Sequence, residues 1–162
     1  MDSASTYMLT GQLANVLREA FAGPPGPWTY FTDNRPGVGM MSTLASISAE
    51  EASLPVGPDA TTIAGHVNHI CASLAVSTGL IVKQSSSRDR TGSWNVTRVN
   101  DAEWKRLVLE LRQQYERSLQ AVQTRQSWDE DGFGAALGAI AHVAYHLGAI
   151  RQRLLVAGNL RT

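Results

Sequence analysis

The sequence predicts an all-α fold, a four-helix bundle whose first helix is interrupted. Four long segments carry apolar residues at three- and four-residue steps, and no segment alternates apolar and polar residues as a half-buried strand does. The 162 residues have the size of one domain, taken as residues 1–162. Because 43% of them are hydrophobic, they can bury a substantial core.

The first helix is expected over residues 6–22 and is followed by an interruption. Its apolar residues recur at helical spacing up to Ala20. The segment "GPPGPW", residues 23–28, ends it because proline lacks a backbone N–H donor and has a fixed φ. A helix is expected to resume around residues 36–46, and the two prolines of "SLPVGPDA", residues 53–60, predict a loop after it.

The second helix is expected to begin after Asp59 or Thr61, since either side chain can cap it. Its apolar residues recur at helical spacing to about Lys83. The next segment, "QSSSRDRTGSWN" at residues 84–95, is polar and aperiodic, and it predicts a long loop of the kind that often flanks a site. Trp94 is expected to anchor this loop.

The third helix is expected to begin after Asn100 or Asp101 and to run to about Gln123, with a continuous apolar face. The polar segment "SWDEDGFG", residues 127–134, separates it from the last helix. The apolar stripe of the last helix ends before Gly158, and glycine commonly follows the end of a helix. The acidic residues before this helix complement the partial positive charge at its N-terminus.

Charge and cysteine content argue against several classes of function. Fourteen Lys and Arg residues balance fourteen Asp and Glu residues, and no basic run alternates with aromatic residues, so nucleic acid is not an expected partner. Cys71 is the only cysteine, and the N-terminal residues lack the pattern of a secretory signal, which favours a reducing, cytoplasmic setting. No apolar stretch approaches the roughly 20 residues of a membrane-spanning helix, so a membrane is not expected either.

The four histidines occur as two close pairs. His142 and His146 lie four residues apart in "AHVAYHLGAIRQ", so on a helix they share a face and can bind one ion. A catalytic site of the zinc type needs about three protein ligands and an open position, so a third imidazole has to come from another helix. In "TIAGHVNHICASL", His66 and His69 are both candidates, and helix geometry does not choose between them. The alternative is that the imidazoles are hydrogen-bonded fillers of the core.

Arg153 is a further candidate for the site. It follows His146 by seven residues, or two helical turns, so it lies on the same flank and can hold a carboxylate of a substrate or cofactor. The competing interpretation is an exposed surface arginine, which is the commoner role. The pattern assigns no residue a direct catalytic role.

The motifs "TTIAGHVNHICASL" and, about seventy residues later, "IAHVAYHLGAIRQRLL" resemble those of the DinB-like superfamily of metal-dependent enzymes. The likeness spans about residues 38–155. It implies a four-helix bundle that binds a divalent metal through three histidines, one from the second helix and two from the last. Carried over to this chain, the ligands are His69, His142 and His146. His66 then becomes a neighbour that supports a ligand, contacts substrate or has no role.

The resemblance also implies a chemistry. Three neutral imidazoles leave the charge of the ion uncompensated, so a water or thiol at the open position is acidified and becomes a nucleophile near neutral pH. Members of the superfamily are associated with bacillithiol or mycothiol transfer, and others are presumed hydrolases. The expected function is therefore a thiol-dependent transferase or a hydrolase acting on a small molecule. Zinc or nickel is the expected ion, and a low-molecular-weight thiol is the expected cofactor.

The alternative is a non-catalytic bundle that acts in a stress response or binds a protein partner, with a structural metal or none. A fourth protein ligand in a closed site would favour it. A homodimer is expected in either case, because a bundle with a broken helix exposes a face that a two-fold interface can bury.

Overall fold

The fold is all-helical in the computed structural model, which describes residues 3–55, 61–84 and 91–156. These residues form six helices and no strand. In chain order the helices are α1 Ser3–Ala22, α2 Met40–Ala45, α3 Ala49–Ala52, α4 Ile63–Ile81, α5 Asp101–Gln123 and α6 Glu130–Val156. The prediction of an all-α fold is confirmed.

The four long helices share one hydrophobic core. Both α1 and α4 pack against α5 and against α6, while the short helices α2 and α3 pack against α5 from the chain segment that joins α1 to α4. Fully buried apolar side chains come from every long helix, among them Leu17, Phe21, Ile70, Leu74, Leu111 and Ile150. The packing of α4 against α6 is the feature that brings the two histidine pairs together.

The predicted end of the first helix at residue 22 is confirmed, and a buried carboxylate organises the chain that follows. Glu19 lies on α1 with no exposed surface. Its carboxylate accepts hydrogen bonds from the backbone N–H groups of Tyr30, Phe31 and Thr32 and from the hydroxyl of Thr32, at 2.8–3.0 Å. The interruption between α1 and α2 is therefore tied back to the first helix by one side chain.

The second helical segment is shorter than expected, since α2 begins at Met40 rather than near residue 36. Gly39 precedes it and lies against the end of α1. A Cβ atom at Gly39 would lie 2.5 Å from the backbone nitrogen of Gly23, a distance no side chain tolerates. The close approach of the two helix ends thus requires glycine at this position. The short helix α3, which the periodicity does not predict, begins with a capping box formed by Ser48 and Glu51.

The caps of α4 and α5 test two predictions. Thr62, not Thr61, caps α4, and its side-chain oxygen accepts from the backbone N–H of Gly65 at 3.1 Å. The other candidate, Asp59, lies outside the described residues. Asn100 caps α5 as predicted, in a capping box with Glu103.

The last helix begins earlier than expected, within the segment assigned to a loop. Helix α6 begins at Glu130, because Asp129 accepts a hydrogen bond from the backbone N–H of Gly132 at 2.8 Å and so satisfies a free donor of the first turn. The expectation of a loop over residues 127–134 is therefore wrong from Glu130 onward. Gly158, expected to follow the helix, lies outside the described residues.

The expectation that no stretch is apolar and long enough to span a membrane is wrong for one helix. Within the described residues, the stretch Glu130–Leu155 of α6 is long and apolar enough to cross a membrane by length and composition alone. Many of its apolar residues are alanine and glycine, which raise mean hydropathy without forming an unbroken run of large side chains. Core helices pass the same test, and the buried face of α6 packs against α1 and α4.

Candidate metal centre

Three of the four histidines converge between α4 and α6. His69 lies on α4, and His142 and His146 lie one turn apart on α6. The Nε2 atom of His142 lies 3.2 Å from Nε2 of His69 and 2.9 Å from Nε2 of His146. The ligand atoms of all three lie within 4.8 Å of one another. The three imidazoles are therefore close enough to bind one metal ion.

The spacing of these nitrogen atoms fits the coordination shell of a small divalent ion. Zinc binds imidazole nitrogen at about 2.0–2.1 Å, so two such ligands in a tetrahedral shell lie roughly 3.3 Å apart. The observed Nε2 separations of 3.2 Å and 2.9 Å are close to that value. Within the described residues, this group of possible metal ligands has three members, and all three are histidines.

The ring of His69 is fixed by two residues of the segment between α4 and α5. Its Nδ1 atom lies 2.8 Å from the hydroxyl of Ser93, and the indole of Trp94 stacks on the ring with the centroids 4.0 Å apart. Asn68 holds the segment in place by donating to the backbone carbonyl of Ser93 at 2.7 Å. A hydrogen bond at Nδ1 orients the imidazole and leaves Nε2 for an ion.

These contacts extend what the sequence predicts. Trp94 was expected to anchor the loop, and it does so by packing on a candidate ligand. Ser93 carries no signal in the sequence, because a single serine in a polar segment has many ordinary uses.

His66 lies beside the three converging histidines and contacts one of them, His146, at its Nδ1 atom. The two Nδ1 atoms lie 2.8 Å apart, while Nε2 of His146 faces His142. The other ring nitrogen of His66, Nε2, is buried and has no hydrogen-bond partner among the described residues. Of the two candidates on the second long helix, the structure thus places His69 in the converging group and His66 beside it.

Burial keeps two of the imidazoles neutral at physiological pH. Desolvation, followed by the neighbouring His142, His66 and His69, lowers the pKa of His146 from 6.5 to about 3. Desolvation, followed by the charge of Arg153 and by His69, lowers the pKa of His66 from 6.5 to about 4. A neutral imidazole is the form that binds metal, so the environment favours the ligand state.

Arg153 is more buried than an arginine on the protein surface. Its side chain is partly buried on α6, and its Nη1 atom is buried without a hydrogen-bond partner among the described residues. The side chain is therefore not exposed, as the competing interpretation of a surface arginine required. Cys71, two residues after His69, is not a candidate nucleophile, since burial raises the pKa of its thiol to about 12.

Asp129, the acidic residue directly before α6, forms ion pairs with side chains outside the candidate site. The carboxylate of Asp129 forms ion pairs with Lys83 at 2.6 Å and with Arg125 at 3.5 Å, in addition to capping the helix. Glu130 and Asp131 lie in the first turn of α6, and their role as complements of the helix dipole stays a prediction.

Comparison of the chain with protein family models, with curated proteins and with solved structures found no match. The resemblance to the DinB-like superfamily therefore rests on the sequence alone and stays a prediction. The dimeric state and the cytoplasmic setting also stay predictions. What the structure adds is the proximity of His69, His142 and His146.

Proposed function

We propose that this protein is a metal-dependent enzyme, a DinB-like four-helix bundle in which His69, His142 and His146 hold a divalent ion. Zinc or nickel is the proposed ion, and the proposed reaction is thiol-dependent transfer or hydrolysis of a small molecule. The observation that carries this proposal is the convergence of three Nε2 atoms, with the other ring nitrogen of His69 and of His146 in a hydrogen bond.

The number of ligands supports a catalytic rather than a structural metal. Structural zinc sites are closed by four protein ligands, whereas catalytic sites have three and keep one position for water or substrate. The group of candidate ligands in the described part of the chain has three members. An ion in such a site supplies Lewis acidity, which lowers the pKa of a water molecule or thiol.

The residues around the ligands have separable roles. Ser93 and Trp94 hold His69, and His66 holds His146, so each ring presents Nε2 in a fixed direction. Trp94 is 40% exposed while stacking on His69, so it forms a border between the site and solvent. We place the entry of the small molecule along this border.

Metal content per chain tests the proposal directly. Protein purified without a histidine tag is dialysed with zinc or nickel and then without it, and elemental mass spectrometry counts the retained ions. We expect close to one ion per chain in the parent and almost none in His69→Ala. Ser77→Ala, a substitution on the same helix outside the site, is the matched control and should keep the ion. A parent that retains no metal contradicts the proposal.

Activity is then tested on the loaded protein. A panel of small electrophiles with low-molecular-weight thiols screens for transfer, and a panel of esters and amides screens for hydrolysis. We expect turnover in one panel and its loss in His69→Ala. Retained metal with equal turnover in the parent and His69→Ala, or with none in either, would favour the non-catalytic alternative.

A further inference from the structure

Two buried donors beside the candidate metal centre lack partners. Three buried side-chain nitrogen atoms have no hydrogen-bond partner among the described residues: His66 Nε2, Arg153 Nη1 and Arg125 Nε. The guanidinium of Arg125 already pairs with Asp129. The other two atoms belong to His66, which contacts His146, and to Arg153, and a buried polar atom without a partner is destabilising. Such atoms commonly mark the place of a ligand or an ordered water.

The hydrogen-bond pattern determines which nitrogen of His66 carries a proton. If Nε2 of His146 binds the ion, the neutral ring keeps its proton on Nδ1. That proton is donated to Nδ1 of His66, which lies 2.8 Å away and must therefore be an acceptor. His66 then has its single proton on Nε2, the atom without a partner. Metal binding by His146 thus turns Nε2 of His66 into a buried donor that requires an acceptor.

Arg153 lies on the same side of the site as His66. The ion pair of Lys83 with Asp129 joins the end of α4 to the start of α6, so the two helices run antiparallel. Arg153 follows His146 by two turns, which carries it toward the start of α4, where His66 lies. The guanidinium is close enough for its charge to contribute to the lowered pKa of His66. Two nitrogen atoms that lack partners within the described residues, one of them cationic, therefore lie on the same side of the centre.

We propose that His66 Nε2–H and the guanidinium of Arg153 bind a carboxylate group of the small molecule on which the protein acts. This inference rests on the proposed function, because it assigns a feature of that molecule. A carboxylate has two oxygen atoms that accept from two donors, and a hydrogen bond to a charged group is stronger than one between neutral groups. The substrate class is then a small carboxylic acid or a thiol that bears a carboxylate.

The test follows the Nε2 resonance of His66 in zinc-loaded, ¹⁵N-labelled protein. Sodium propionate, propionamide and inorganic phosphate are titrated separately at constant ionic strength. We expect the proton of His66 on Nε2 before any addition, a saturable shift with propionate, and at least about tenfold weaker binding of propionamide. Phosphate should bind more weakly than propionate. Arg153→Met should weaken propionate binding about tenfold, while Arg112→Met, an exposed arginine on α5, should leave it unchanged.

The outcomes separate this inference from the proposed function. A parent that loses zinc on dialysis overturns the proposed function, and this inference with it, before any probe is added. Retained zinc with a proton on Nδ1 of His66, or with no shift by propionate, overturns the carboxylate site alone and favours an ordered water as the acceptor. Tighter binding of phosphate, equal binding of propionate and propionamide, or unchanged binding in Arg153→Met also overturns it.

Discussion

Glu19 and the histidine cluster, defined as His66, His69, His142 and His146, both place ionisable side chains in the interior, but their hydrogen bonds differ. The carboxylate of Glu19 accepts from three backbone N–H groups and one hydroxyl, all from the segment after α1. The histidines instead face one another, with Nε2 separations of 3.2 Å and 2.9 Å. Donors surround the carboxylate, whereas the cluster brings together groups of the same kind.

The difference indicates which region is structural and which binds something. A buried polar group is tolerated when its partners come from the protein itself, as they do for Glu19. Burial raises the pKa of this carboxyl, but the N–H groups of Phe31, Tyr30 and Thr32 together outweigh it and leave the pKa below its ordinary value. The cluster instead pairs ring nitrogen atoms with one another, and three of its imidazoles lie close enough to bind one ion.

The largest expected effect is the loss of metal from the cluster when His146 is replaced. His146→Ala removes one of three ligands, and because supporting groups alone alter metal affinity 10–100-fold, we expect a loss greater than about 100-fold. A competition titration with a chromophoric chelator measures it. Tyr145→Ala, which removes an exposed ring that touches His146 edge-on, is the control and should retain most of the affinity. Equal affinity in His146→Ala and the parent would contradict the assignment of this ligand.

Removing the carboxylate of Glu19 should affect stability and spare the metal. Glu19→Ala leaves three backbone donors of the interrupted segment without their acceptor, so we expect the free energy of unfolding to fall by about 2 kcal/mol. Urea denaturation of the metal-free protein measures the change, and metal content per chain should stay that of the parent. Glu116→Ala, an exposed glutamate on α5, is the control. A variant that unfolds like the parent would show that Glu19 does not fix this segment.

A smaller effect on metal affinity is expected when Ser93, whose hydroxyl contacts Nδ1 of His69, is replaced. Ser93→Ala removes the hydroxyl at Nδ1 of His69 but keeps the backbone carbonyl that accepts from Asn68. We expect metal affinity to weaken about tenfold, the low end for a group that orients a ligand. The chelator titration measures it, and Ser93→Thr, which keeps a hydroxyl, should recover part of the loss. An unchanged affinity would assign the orientation of His69 to Trp94 alone.

The sequence predicts the helices better than the contacts between them. Apolar periodicity extends over many turns, so it identifies the four long helices even where a boundary is wrong, as at Glu130, where α6 begins. The bonds of Glu19 reach residues eleven to thirteen positions away in an irregular segment, and no pattern of residue types encodes them. The motif places two histidines on one face of α6, but the choice of His69 over His66 depends on how α4 packs against α6. That choice follows from the resemblance, and the periodicity of the helix alone leaves it open.

The last prediction separates the two regions by the pH range in which each affects stability. In the metal-free protein, the pKa of His66 is lowered from 6.5 to about 4 and that of His146 from 6.5 to about 3. Between pH 6.5 and the lowered pKa of each histidine, the unfolded chain binds protons that the folded chain does not. The free energy of unfolding therefore falls as pH falls through this range. Glu19 has a lowered pKa, so its contribution is present above the unfolded value of 4.5 and is lost as pH falls through the folded value.

The two regions should therefore appear in successive parts of one titration. Urea denaturation from pH 7.5 to 3 measures the free energy of unfolding, and each histidine adds at most about 1.4 kcal/mol per pH unit to the slope. His66→Phe should flatten the curve between pH 6.5 and 4, because one of the two groups no longer titrates, and Glu19→Gln should change its slope only below pH 4.5. If both variants change the slope over the same range, the two regions are coupled, and their separation into a structural and a binding network is wrong.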